Sequence, residues 1–527
     1  MKRRKLPIGG VQTFSKLRNQ YDVYVDKTAQ IYEIASRYGA VFLARPRRFG
    51  KSLLCSTIES LFRGEQELFE GLAISNTDWE WKSYPIIHLE FAGEDYTVDG
   101  LDKISTLIVR QLDKACDEYG ISVQSSDSIS DKFARVIIEL SEKIGQVVVI
   151  IDEYDNPLLN TFDQPEVNTK MREKLKGFYS VLKQSDRYLR FAFVTGVTKF
   201  AQISMFSGFN QPKDISMASE HCDICGITQE ELEKYFEPEL EAFAPKHGGR
   251  DAYLVRLKMF YDGYCFTRDR IPVYNTYGIL NHFDTSAEFA PFWSMSGQPS
   301  FARKYLEARD VDIAELEGAE MQAVDFGDYK DNTITLFPLL YQAGYLTISD
   351  YDEQIGYYKL SYPNVEVRQS LASFLARNYL KASDTIRNST SARLVKSLLE
   401  GNTENFIELL KLFLGKVDYS LSSKITEYYF EFAVSNIINM LGLKCQNEVH
   451  TATGRMDSVI YAGDYIYVLE FKVDKDIGKA IMQLEDKDYA AIFYDSGKRL
   501  IEVGIIFSRD ERSIVSWQVK QDDDTVL

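Results

Sequence analysis

The sequence predicts an α/β protein with two separate sheet domains and a mainly helical region between them. Three observations predict it. Short apolar runs alternate with helix-period stretches over about the first 200 residues, the pattern of a doubly wound parallel sheet. Residues from about 225 to 410 carry helical spacing with aromatic-rich connections, and the last hundred or so change to an α-β-β-α-β order. At 527 residues the chain also exceeds what one hydrophobic core supports, so several domains are expected, with boundaries at 1–225, 226–415 and 416–527.

Taken in order, residues 41–44 (VFLA) form an apolar strand that runs into the loop 45–52 and then into a helix with apolar residues at helical spacing. Residues 84–91 (YPIIHLEF) read as a strand, followed by amphipathic helices at 99–118 and 129–143. The run 147–151 (VVVII) is an unbroken β-branched stretch of the kind that sheets covered on both faces require, and it ends in Asp152 and Glu153. A polar helix near 166–184 leads to a further buried strand at 189–194, closing on Thr195-Gly196-Val197-Thr198. Farther on, 336–348 and 357–361 read as helix, strand and strand, the pattern of a winged-helix unit. The C-terminal part reads as a helix at 424–443, strands at 454–460 and 465–473, a helix at 476–489 and a strand at 503–507.

Composition narrows the functional classes. Hydrophobic residues make up 45% and charged residues 26%, which is globular rather than disordered. The net charge of -17 argues against a protein that coats nucleic acid by long-range attraction, leaving local basic patches such as Arg45, Arg47, Arg48 and Lys51. No apolar run reaches the roughly 18 residues of a membrane span, the basic start is followed by mixed polar sequence, and the six cysteines are scattered. A cytoplasmic protein with no membrane partner is expected. Cys222 and Cys225, with His221 beside them, have a zinc-like spacing, but no second Cys/His pair follows, and they are read as semi-buried thiols.

The loop 45–52 ends in Gly50-Lys51-Ser52, the close of a Walker A motif, although Arg45 holds the first glycine position. Backbone N–H groups of such a loop wrap phosphates, the lysine neutralises them and the hydroxyl binds Mg²⁺. Arg47, Arg48, Phe49, Gly50, Lys51 and Ser52 are therefore the expected ATP contacts. Asp152 would hold Mg²⁺ together with Ser52, and Glu153 would polarise the attacking water. Thr195 and Thr198 stand where a polar sensor of the γ-phosphate belongs.

In the last domain, Asp457 on one strand faces a second strand carrying Glu470 and Lys472, which period-two alternation puts on one face with Phe471 turned into the core. Two carboxylates suit a hard divalent ion such as Mg²⁺, and the lysine suits the orientation of a water that attacks phosphorus. Asp457 and Glu470 are thus the expected metal ligands, with Lys472 catalytic beside them.

Tyr24-Val25-Asp26-Lys27-Thr28, Arg45-Pro46-Arg47-Arg48-Phe49-Gly50-Lys51-Ser52, Asp152-Glu153-Tyr154-Asp155 and Tyr261-Asp262-Gly263-Tyr264 together resemble bacterial AAA-ATPase-like proteins that carry a C-terminal PD-(D/E)XK nuclease domain. The resemblance spans nearly the whole chain, and the Arg in place of the first Walker glycine belongs to that family's pattern. It implies a P-loop NTPase of the additional-strand class, with 84–91 as the inserted strand, a helical, winged-helix-like middle and a restriction-endonuclease-like α/β domain. It also implies roles for Glu427 on the preceding helix and for Gln483 and Tyr489 on the following one. The expected function is an ATPase coupled to cleavage of DNA or RNA. The rival is a nucleotide-switched signalling protein, with a protein partner or a second copy, whose nuclease-like domain docks without cutting.

Overall fold

The computed structural model describes residues 4–123, 128–199, 212–296, 316, 318–326, 336–368, 370–371, 384–414, 434–435, 437–438, 441, 443–450, 455–475, 477–486, 493, 496–511 and 513–520. The chain forms two compact units, residues 1–305 with 318–367, and residues 306–317 with 368–527. The stretch 226–415 therefore contributes to both.

The first unit is built on a parallel sheet of β1 (Ala40–Ala44), β2 (Ile86–Glu90), β3 (Val147–Asp152), β4 (Leu189–Gly196) and the two-residue β5 (Lys213–Asp214), in the order β2-β3-β4-β1-β5. All six residues of β3 are buried, which is why its sequence shows no polar alternation. Alternate strand residues, among them Phe42, Ile87, Leu89, Val149, Ile151 and Val194, share a core with α4 (Gly100–Glu118), α5 (Ile129–Lys143) and α7 (Pro165–Gln184). On the opposite face α3 (Lys51–Phe62) packs, with the Phe62 ring stacked on Phe191 of β4 at 5.2 Å. The order corrects one expectation. Residues 84–91 do not supply the inserted strand: β2 lies at the edge with an exposed Glu90, whereas β4 stands between the phosphate-loop strand β1 and the acidic-ended β3. Apolar content alone cannot distinguish an edge strand from a central one; hydrogen-bond order does.

Ahead of this sheet lie α1 (Phe14–Gln20) and α2 (Thr28–Arg37), and a short α6 (Asn156–Asn160) follows β3. After it come α8 (Gln229–Tyr235), α9 (Glu237–Phe243), α10 (Arg250–Tyr261), α11 (Thr276–Asp284) and α12 (Phe292–Met295). The helix α8 opens on a reciprocal cap: Thr228 Oγ accepts from Glu231 N at 3.2 Å while Glu231 accepts from Thr228 N at 2.9 Å. These helices bury Leu232, Phe236, Leu257, Tyr261, Ile279 and Phe283 together with Leu6 and Val23, so the N-terminal segment completes their core. The helix α13 (Leu336–Ala343), followed by β7 (Thr347–Asp352) and β8 (Tyr357–Ser361), gives the expected helix-hairpin unit, widened by β6 (Glu320–Gln322) in the order β6-β8-β7.

In the second unit, α14 (Asp384–Leu399) and α15 (Thr403–Leu414) precede a five-stranded sheet. Its order is β13-β12-β11-β10-β9, from β9 (Lys444–His450), β10 (Arg455–Ala462), β11 (Tyr465–Val473), β12 (Arg499–Ser508) and β13 (Ser513–Val519). Only β11 and β12 run parallel. The helix α16 (Ile477–Asp486) crosses between them and lies close on the sheet, because a Cβ on Gly504 would stand 3.0 Å from Ala480 Cβ. Sequence reading missed β9 and β13, the two antiparallel edge strands.

Candidate functional sites

The turn from β1 to α3 is the phosphate-type loop, and two left-handed residues shape it: Arg48 at φ 72° and Gly50 at φ 92°. Gly50 takes that conformation without a Cβ penalty and caps α3, so Lys51 and Ser52 open the helix with their N–H groups free to point at an anion. Arg47, Arg48, Phe49, Gly50, Lys51 and Ser52 line a cavity of about 550 Å³, and Glu153 lines it from the end of β3. Lys51 is buried, its Nζ donating to Pro46 O at 3.0 Å. Glu153 is held at φ 52°, a costly conformation for a non-glycine residue and one that clusters at functional sites. Burial raises its carboxyl pKa and Asp152 adds to the rise, while Lys51 and Arg47 oppose it.

The side chains of this loop divide between two faces. Arg45 is buried, with Nη1 donating to Ser216 O at 2.6 Å and Ala44 O at 3.0 Å, and Nη2 to His221 O and Cys222 O at 3.3 Å each. Its guanidinium lies 4.3 Å from the Phe266 ring centroid. Phe49 sets its ring edge-on to Tyr264 at 4.8 Å and Phe266 at 5.5 Å, and Pro46 touches the site where Gly344 has no Cβ. Arg45 at the first Walker position is thus a structural tie, which explains how the loop tolerates losing that glycine.

Asp152 is buried and its Oδ1 accepts from Glu153 N at 2.9 Å. Thr195 is not brought to the cavity wall: its hydroxyl donates to Leu43 O at 2.7 Å, inside the sheet. A sequence places a residue at a strand end but does not say which face its hydroxyl takes. Thr198 instead meets Asp155, a buried carboxylate that accepts from Thr198 N and Thr198 Oγ, at 2.6 Å each, and from Val197 N at 3.2 Å. With Tyr154 Oη donating to Thr198 O at 2.8 Å, the Asp152-Glu153-Tyr154-Asp155 turn clamps the end of β4.

The second candidate site lies on β10 and β11. Their antiparallel register pairs Ser458 with Leu469 and so sets Asp457 opposite Glu470. Both acids are buried, at 9% and 0% exposure, which would be costly for carboxylates without partners. Asp457 Oδ2 accepts from Phe471 N at 2.8 Å, and Lys472 Nζ donates to Glu470 Oε1 at 2.7 Å and stands 3.9 Å from Asp457 Oδ2. Burial first, then the charge of Asp457, pushes the Glu470 carboxyl up to about 7, with Lys472 pulling the other way. Glu470 Oε2 is buried and accepts no hydrogen bond from a donor among the described residues, an oxygen fit to be a ligand for a hard cation. Among the described residues no group of three or more His, Cys, Asp or Glu is placed to hold a metal. Phe471 turns away to pack on Phe507 at 5.7 Å. Glu427 and Tyr489 lie outside the described residues, as does the side chain of Gln483.

Residues 7–206 match the family described as a predicted AAA-ATPase, and residues 425–517 match the PD-(D/E)XK nuclease superfamily. An uncharacterised protein encoded in the vnfD 5' region of Azotobacter chroococcum mcd 1 is 34% identical over 99% of this chain and 99% of its own length. The chain belongs to the AAA-ATPase-like family. Two solved Aeropyrum pernix structures are similar at lower levels. ORC1 in complex with DNA is 12% identical, covering 69% of this chain and 98% of its own, with a TM-score of 0.25. ORC2 in ADPNP-ADP complexes is 14% identical, covering 69% and 92%, with a TM-score of 0.24.

Several residues at the AAA-ATPase-like site carried no assigned role in the sequence reading. Gly9, Gly10 and Val11 line the cavity, as do Tyr24, Val25 and Lys27. Lys27 is pinned there by Glu231 at 2.6 Å and Asp223 at 3.3 Å. Glu94, Asn156, Tyr277 and Asn281 line it too. The signal for Tyr24, Val25 and Lys27 was the Tyr24-Val25-Asp26-Lys27-Thr28 run, whose spacing gives no direction to its side chains. His221, Cys222 and Cys225 are buried, and none of the six cysteines is in a disulfide. No described helix is long and apolar enough to cross a membrane.

Proposed function

We propose that the AAA-ATPase-like unit binds ATP with Mg²⁺ and hydrolyses it, and that the C-terminal domain is a divalent-metal-dependent nuclease acting on DNA or RNA. The observation that carries the first part is the shared cavity: the loop residues 47–52 line it from one side and Glu153 from another. Its volume of about 550 Å³ lies within the range of small-molecule sites. Lys51 and the loop N–H groups would take the β- and γ-phosphates, Ser52 and Asp152 would hold Mg²⁺, and Glu153 would accept a proton from the attacking water. Mg²⁺ supplies charge neutralisation of the phosphates when bound. Val11, Val23, Val25 and Phe236, which line the same cavity, would offer the base apolar contacts.

For the second part, Asp457 and Glu470 would ligate Mg²⁺ or Mn²⁺, which activates water for attack on phosphorus. Lys472 would orient that water and support charge on the phosphate. We assign the ATPase to 1–225, a helical lid and winged-helix-like region to 226–415 and the nuclease-like domain to 416–527. Six buried cysteines outside any disulfide support a reducing, cytoplasmic setting. The test is direct: the purified chain is assayed for ATP binding by calorimetry, and for cleavage of single- and double-stranded DNA and RNA with each metal, with and without ATP. No cleavage under any condition would favour a nucleotide-switched docking protein, with a partner protein or a second copy as its target.

A further inference from the structure

Four cationic side chains stand on one loop, and the structure commits three of them. Arg45 points away from the cavity and is held by four backbone carbonyls and the Phe266 ring. Lys51 is on Pro46 O. Arg48 also lines the cavity but is tied to its rim, Nη2 donating to Ser296 O at 2.9 Å with its guanidinium 4.8 Å from the Tyr277 ring centroid. Arg47 remains. It lines the cavity, makes no hydrogen bond or ion pair among the described residues, and its Nε is buried without a partner. Its charge acts on Glu153.

A buried guanidinium nitrogen without an acceptor is destabilising until a ligand supplies one, and a guanidinium matches phosphate oxygens bidentately. Its neighbours are engaged elsewhere: Arg45 with Ser216 O, Pro46 against Gly344 and the Phe49 ring against Tyr264, while Arg47 lines the cavity. We infer that Arg47 is the arginine that neutralises the γ-phosphate during hydrolysis, supplied by the same chain that holds the nucleotide, so that one copy contains a complete site. This rests on the ATP reading above. In the step, a water oxygen bonds to the γ-phosphorus as the bond to the β,γ-bridging oxygen breaks. ADP leaves with that electron pair, and the water proton passes to the Glu153 carboxylate. Arg47 faces the negative charge carried by the γ-oxygens, with no reorganisation of the loop required.

The test uses the full chain. ATP affinity is measured by calorimetry, and hydrolysis is measured across a protein concentration range that light scattering shows to be monomeric at its lower end. The expected result is a specific activity independent of concentration. Arg47→Ala should keep ATP affinity within about tenfold and lose roughly 100-fold or more in kcat, the scale on which such arginines act. Arg47→Lys, which keeps the charge but not the fork, should recover only part of that loss. Wild-type monomer should trap ADP with Mg²⁺ and aluminium fluoride, and Arg47→Ala should not. Hydrolysis by Arg47→Ala within tenfold of wild type, or activity that climbs with assembly, would overturn the inference. Loss of ATP binding in Arg47→Ala would also overturn it, by making the residue a ground-state contact. A wild type that binds no ATP would remove the nucleotide reading itself.

Discussion

Lys51, Glu153 and Glu366 each carry a separate expectation at the scale of single residues. Lys51→Ala should abolish ATP binding, since no other cation of the loop sits on the helix that begins there; unchanged affinity by calorimetry would sink the assignment. Glu153→Gln should keep nucleotide and slow turnover, because the amide retains the shape of the side chain but cannot take a proton. Glu366 is a different case. It is fully buried, its Oε1 accepts from Trp293 N at 2.6 Å, and burial pushes its carboxyl from an ordinary 4.5 up to about 8. The folded state therefore holds a proton that the unfolded state releases between about pH 4.5 and pH 8, and stability should fall as pH rises through that window. Thermal unfolding followed from pH 5 to 8 should show a shallower decline for Glu366→Gln than for wild type. An identical slope would mean that Glu366 is not the group responsible.

At the scale of elements, the segments 261–264 and 362–366 interlock behind the phosphate loop. Asn364 Nδ2 donates to Asp262 O at 2.8 Å, and Gly263, at φ 91°, leaves no room for a Cβ, which would fall 2.0 Å from Pro363 O. Gly263→Ala should destabilise the unit by about 2 kcal/mol or more, since both the backbone conformation and the contact resist it. Because Phe49 packs on Tyr264, ATP affinity should weaken in the same variant; calorimetry on the folded fraction would read it. In the second unit, the pairing of β10 with β11 brings Asp457 and Glu470 face to face, so the site depends on register rather than on neighbouring residues in sequence. Asp457→Ala or Lys472→Ala should remove Mg²⁺- or Mn²⁺-dependent cleavage, as nuclease assays would show.

For the whole molecule, the two units each have their own buried core and their own candidate site. Asp457→Ala should therefore leave ATP affinity unchanged, and Lys51→Ala should leave metal-dependent cleavage without ATP unchanged. A double variant whose losses depart from the sum of the single ones would reveal coupling. The match of the Azotobacter chroococcum relative along 99% of the chain extends the resemblance across both units.

What the sequence determined by itself was whatever is encoded locally. The run 147–151 could only be a strand buried on both faces, the helices 99–118 and 129–143 carry an apolar stripe, and Gly50-Lys51-Ser52 after an apolar strand announces a phosphate loop. Asp457, Glu470 and Lys472 were legible because period two fixes faces along a strand. Tertiary structure decided what depends on partners remote in the chain. It made β4 rather than β2 the inserted strand, because strand order is set by hydrogen bonding between segments a hundred residues apart. It turned Thr195 into the sheet, made Arg45 a tie to residues 216–222, and left Arg47 without a hydrogen bond among the described residues. A side chain's direction follows from the packing around it, and that packing is not written in its immediate neighbours.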